Sequence, residues 1–137
     1  MLILLHSLNY WAVLAAALSA FALGAIWYSP AVFCTIWCKE AGIDMTAPRK
    51  KGHVPKVFVM AFILSLIAAF TFALVLGSNP SFTVAVSAGF VIGLFWVATS
   101  FGINYLFADR SLKLFLIDAG YHIVKFTLFG VILGLWH

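Results

Sequence analysis

Charge is scarce in this sequence: Lys, Arg, Asp and Glu together make up 9% of its 137 residues. Soluble domains carry about a quarter, so the deficit excludes a water-covered surface. The 65% hydrophobic content is too high for a soluble fold to hide. Cysteine is equally sparse. Cys34 and Cys38 are the only two, and four apart on a helix they would share a face, with Cβ atoms about 5–6 Å apart, where a disulfide is awkward. No disulfide framework follows. A nucleotide-binding loop, a Ser/His/Asp order and a pair of catalytic carboxylates are all missing, so the chain is not read as an enzyme. No cofactor is expected. Cys34, Cys38 and His53 match no standard ligand set, so no metal site is expected either.

The formal charge of +4 does not imply nucleic acid, because five of the eight basic residues fall between Lys39 and Lys56, wedged between two apolar runs. That is the placement of a juxtamembrane loop. No Lys or Arg precedes the first apolar run, which therefore lacks the basic start of a cleaved signal peptide and is expected to be retained.

What the sequence does have is long hydrophobic runs, with a mean hydropathy of +1.13. A spanning helix needs about 20 mostly apolar residues. Four stretches qualify: Asn9 to Tyr28, Val57 to Leu76, Phe82 to Phe107 and Leu114 to Trp136. The third is long enough to tilt. Tyr10 and Trp11 open the first run, and Trp27 and Tyr28 close it, as interfacial aromatics. Ser29 and Pro30 then interrupt it. A short interfacial helix is expected over Ala31 to Cys38, with Phe33, Ile36 and Trp37 toward lipid. Gly77 to Ser81 (GSNPS) and Ala108 to Lys113 (ADRSLK) are turns.

In lipid each span must satisfy its own backbone, which leaves helices or a closed barrel. The runs are about twice a barrel strand in length and lack its alternation. The expected fold is all-α: one transmembrane domain over residues 1–137, built as a four-helix bundle. The first and third loops hold every Lys and Arg except Lys125. The positive-inside rule places both loops in the cytoplasm and both termini outside. His6 and His137 then lie on the outer side, solvated. Arg49, Lys50 and Lys51 are expected to contact anionic headgroups, at about 1 kcal/mol per charge.

Small residues recur at every fourth position: Ala16, Ala20 and Gly24; Ala85, Gly89 and Gly93; Gly130 and Gly134. Such stripes let backbones approach closely. By depth, the second and third stripes would meet across an antiparallel pair joined by the ADRSLK turn.

The fourth run differs because it contains ionisable residues. Asp118, Tyr121, His122 and Lys125 sit at i, i+3, i+4 and i+7 and share a face. Counted from Leu114, Lys125 lies roughly 16 Å deep, where a charge costs about 2.5–3.5 kcal/mol on insertion scales. Two readings stand. In one, Asp118 and Lys125 neutralise each other, while Tyr121 and His122 bond to Asn104 or Ser100 and set helix register. In the other, the face lines a proton or ion path or binds a small polar ligand. Trp27, Tyr28, Ser29 and Pro30, with Asp109 and Arg110, are a further candidate. They serve either as a helix terminator with aromatic anchors or as the frame of a headgroup or ligand pocket.

These residues also carry a resemblance. Asn9 to Trp11 (NYW), Gly24 to Pro30 (GAIWYSP) with Phe33 and Trp37, Tyr105 to Arg110 (YLFADR) and Ile117 to His122 (IDAGYH) resemble a family of small bacterial membrane proteins, domain of unknown function seventeen-sixty-one. The resemblance implies four spans and no established activity. It also implies that Asn is frequent at the position of Asp118, so that a carboxylate there is not essential to the common role. The expected function is a bacterial inner-membrane binding or accessory module, non-enzymatic and homo-oligomeric. The alternative is a small proton or ion channel or transporter using the fourth-run face.

Overall fold

The computed structural model describes residues 8–48 and 51–136, so Arg49, Lys50, His6 and His137 lie outside the described residues. Four helices are long and apolar enough to cross a membrane: α1 (Tyr10–Trp27), α3 (His53–Leu76), α4 (Phe82–Phe107) and α5 (Leu112–Leu135). The short helix α2 (Cys34–Ala41) follows the first. The expected four-span, all-α bundle is what forms.

The ends of the helices follow local chemistry. Asn9 caps α1, its side-chain oxygen accepting from the backbone N–H of Trp11 and Ala12, both at 3.1 Å. Asn9→Ala is expected to cost about 1 kcal/mol and to raise amide exchange in the first turn of α1. Ser111 caps α5 by accepting from Leu114 N–H at 3.2 Å, so that span starts two residues earlier than the apolar run. The second span starts four residues early, at His53. Pro55 falls in its first turn, where a missing N–H goes unnoticed.

The interfacial helix is shifted from the expected Ala31 to Cys38. After Pro30 the chain turns back, with Val32 and Cys34 N–H both bonding to the Ser29 carbonyl. Helical geometry therefore begins only at Cys34. Gly42, at φ 70°, ends the helix in the left-handed conformation that glycine adopts without strain.

α5 is the central helix. Its most apolar window is 44% buried, against 22–28% for the other three spans. It packs along α4, against α1 and under α2, and touches α3 only briefly, while α1 also packs on α3. The α4–α5 pair is the closest. A Cβ on Gly89 would strike the Phe126 carbonyl, and one on Gly130 the Ala85 carbonyl; one on Gly93 would sit 2.8 Å from Ile123 Cα. The two glycine stripes thus meet within one chain.

A π-helical segment, Ile92–Ala98, interrupts α4. Positions four apart drift by about 40° per step around an α-helix, so Ala85, Gly89, Gly93, Phe101 and Tyr105 would wind away from a straight partner. The wider π turns take up part of that drift. The parts of α4 before and after this segment therefore both keep contact with α5: Gly89 at Phe126, and Phe101 against His122 at a centroid distance of 4.7 Å.

The rest of the core lies toward the end opposite the basic loops. Ala12, Val13, Ala16 and Ala17 of α1 meet Ala69, Phe72 and Ala73 of α3 and Phe129 and Leu133 of α5.

Candidate functional site: a caged carboxylate and an unpaired lysine

Asp118 lies in the second turn of α5, 8% exposed. Its carboxylate takes three hydrogen bonds. Oδ1 accepts from the Tyr28 hydroxyl at 2.7 Å and the Trp37 indole N–H at 2.9 Å, and Oδ2 accepts from the Tyr105 hydroxyl at 2.6 Å. The donors come from the end of α1, from α2 and from α4, so one side chain ties three elements to the fourth. Charge-assisted bonds of this kind are about twice as strong as neutral ones.

The residues around the cage assemble it. Trp27 donates its indole N–H to the Ile117 carbonyl at 3.0 Å, and its ring edge lies over Gly120. Any side chain at position 120 would meet that ring at about the limit of contact. Tyr121 donates to the Ala20 carbonyl at 2.9 Å, beside Gly24. Phe33 packs on Trp27, and Tyr28 packs on both Trp37 and Tyr121. Ser29 and Pro30 supply the turn that brings α2 back over α5.

Several expectations need correction. Phe33 and Trp37 face the bundle rather than lipid, because Trp37 finds a carboxylate and Phe33 an indole face; Ile36 is exposed. Tyr121 and His122 do not bond to Asn104 or Ser100. Asn104 is exposed, and Ser100 donates to Trp96 of its own helix at 2.6 Å. Arg110 is exposed and lies within electrostatic reach of Tyr105.

The Asp118–Lys125 pair is also absent. Seven residues separate the two by about 10 Å of helical rise, and Asp118 already accepts from three aromatic donors. Lys125 is 8% exposed, near the middle of α5. Its ammonium sits 5.1 Å from the Phe126 ring centre and 5.9 Å from those of Tyr121 and Phe129. Among the described residues it has no hydrogen-bond acceptor and no carboxylate partner. One turn earlier, His122 packs between Phe101, whose ring is tilted to it, and Tyr121, which it meets edge-on, and its buried Nδ1 has no hydrogen-bond partner among the described residues.

The motif residues scattered from Gly24 to His122 thus converge in space. A family model matches residues 11–134, nearly the whole of the described bundle. The chain belongs to that family, described as protein of unknown function (DUF1761). No curated protein and no solved structure matches it.

Membership fits the quoted motifs but says nothing of their role, which the cage makes physical. The contribution of Trp37 had no signal in the sequence beyond the family pattern. Tyr105 had a weak one: it ends α4 just before the hairpin turn, within a side chain's reach of the start of α5.

Cys34 and Cys38 form no disulfide; their sulfurs lie 3.8 Å apart on α2. A shallow groove of about 410 Å³ runs along the start of α3, lined by His53, Lys56, Val57, Met60, Ala61 and Leu64.

Proposed function

We propose that this protein is a non-enzymatic binding or accessory module of the bacterial inner membrane. In this reading the Asp118 cage holds the bundle in register, and the Lys125–His122 stretch is the binding face. What supports it is where the polar face stops. Beyond Lys125 the same side of α5 continues as Phe129 and Leu133, packed among small residues of α1 and α3 with Phe129 0% exposed. A proton or ion path needs polar groups or water through the whole hydrocarbon thickness. Here it would end halfway.

The basic first and third loops support a cytoplasmic placement for that end of the bundle, with both termini outside. Lys51 and Lys56 are exposed there, and the groove below Lys56 has apolar walls. That combination suits an acyl chain beneath an anionic headgroup, the lipid partner also assigned to Arg49 and Lys50. The exposed large side chains of α3 and α4 leave ample surface for lipid and for a second copy, in keeping with a homo-oligomer.

The alternative, a small channel or transporter, draws on the same two unpaired groups, His122 and Lys125. Proteoliposome flux separates the readings. With an imposed pH or potassium gradient, protein-loaded vesicles are expected to leak no faster than empty ones. Faster leakage that disappears in Lys125→Met would establish the channel and end the binding reading.

A further inference from the structure

We propose that Lys125 and His122 form the polar end of a site for a lipid-soluble quinone, the Lys125 side chain donating a hydrogen bond to a quinone carbonyl oxygen. This rests on the binding-module reading and names the ligand class for that face. Only binding is proposed, with no electron transfer.

The first observation is a donor without an acceptor. The lysine head group is a pure donor with three N–H bonds; Lys125 as a whole residue is 8% exposed, and among the described residues its ammonium forms no hydrogen bond or ion pair. The ring faces of Tyr121, Phe126 and Phe129 offset part of the charge but supply no lone pair. A second observation lies one helical turn away, where the buried His122 Nδ1 also lacks a partner. Buried polar groups in native structures are nearly always bonded, and an unbonded one calls for a ligand, an ion or a water. His122 Nδ1 is one such atom, and the Lys125 ammonium, on the same helix face and without an acceptor, points to a shared occupant.

Depth selects among occupants. Lys125 lies about 20 Å along α5 from Leu112, close to the bilayer midplane. A phosphate or carboxylate would have to carry its own charge through hydrocarbon to reach it, at a cost of several kcal/mol. A neutral molecule that dissolves in hydrocarbon and bears a carbonyl oxygen pays no such penalty. Its shape is selected by the walls. Phe101, Tyr121, Phe126 and Phe129 offer ring faces around the two polar groups, which suits a flat conjugated ring in an apolar pocket with few polar contacts.

Access is lateral. Tyr121, His122 and Phe126 are each partly exposed. Residues Lys51 to Met60, at the start of α3, are exposed on every side, and α3 touches α5 only briefly. α3 therefore does not cover this half of α5, and the partly exposed edges of Tyr121, His122 and Phe126 are where a lipid-soluble molecule would enter.

The test is equilibrium binding to the full chain in nanodiscs of neutral lipid, using a short-chain ubiquinone, a short-chain menaquinone and oleate as probes, read by tryptophan quenching. A saturable signal is expected for at least one quinone. Lys125→Met should weaken it by roughly tenfold to a hundredfold, the loss of one charge-assisted hydrogen bond. Lys125→Arg should largely restore it, and His122→Phe should weaken it less. Thermal unfolding of each variant reports whether the bundle is intact, and His122→Phe serves if Lys125→Met does not fold. Absence of saturable quinone binding by wild type overturns the proposal, as does undiminished binding by a folded Lys125→Met. So does Lys125-dependent binding of oleate alone. Any of these, with vesicles that stay tight to protons, removes the quinone and leaves the binding-module reading in place; proton leakage removes that reading instead.

Discussion

Asp118→Ala is expected to lower the unfolding free energy by about 3–5 kcal/mol, because three buried or half-buried donors lose their acceptor at once. The hydroxyls of Tyr28 and Tyr105 and the indole N–H of Trp37 all end on this one carboxylate. None of the three has a second acceptor among the described hydrogen bonds. The donors belong to α1's end, α2 and α4, so the loss should loosen the whole basic-loop end of the bundle. Limited proteolysis between Lys39 and Lys56 should accelerate, since Trp37 is the hydrogen-bonded link between α2 and α5. Asp118→Asn should be much milder, about 1–2 kcal/mol. Its carbonyl oxygen still accepts from Tyr28 and Trp37, and the Tyr105 hydroxyl can turn to accept from the amide. Reversible unfolding in mixed micelles measures both. A loss below about 1 kcal/mol for alanine would show that the cage is not what holds the register.

The second large effect concerns the α4–α5 contact. Gly89→Ala and Gly130→Ala each place a methyl group against a backbone carbonyl of the other helix, Phe126 and Ala85 respectively. Backbone cannot rotate aside as a side chain can, so the helices must separate along the contact. Each substitution is expected to cost about 2–4 kcal/mol, the upper range for overpacking. The double variant should cost less than the sum, since one separation accommodates both methyl groups. Gly24→Ala is the control. Its new Cβ would lie 3.6 Å from the Tyr121 hydroxyl, an ordinary contact, and stability should change by no more than about 0.5 kcal/mol. The same unfolding measurement ranks all four. Equal effects at Gly24 and Gly130 would mean that the stripe is not a packing surface.

How much was legible beforehand depended on which physical constraint governed each residue. Helix number and approximate ends were written locally, because hydrocarbon forces every peptide group to find its partner within its own segment. Boundary errors at His53 and Leu112 were a few residues wide and came from caps and a proline that apolar runs do not register. The glycine stripes were legible as well, while their meeting within one chain, rather than between chains, was decided by the structure. A four-residue period of small side chains has few other uses where lipid gives no hydrophobic drive between helices. The partner of Asp118 was not legible. Sequence spacing offered Lys125 on the same face; the bundle offered Tyr28, Trp37 and Tyr105, from places 90, 81 and 13 residues away.

By itself, then, the sequence determined four apolar helices, a short one after the first, small-residue stripes on three spans and the position of a polar face on the fourth. Each of these follows from short-range rules: hydrogen bonding within a helix, the period of the helix and the reach of a tight turn. Only the tertiary structure decided that Asp118 is caged by aromatic donors and that Lys125 is left without an acid, with His122 unbonded beside it. Those outcomes turn on which distant side chains reach a buried atom first. A carboxylate in a low-dielectric interior takes whichever donors the packing brings within 3 Å, whatever their separation along the chain.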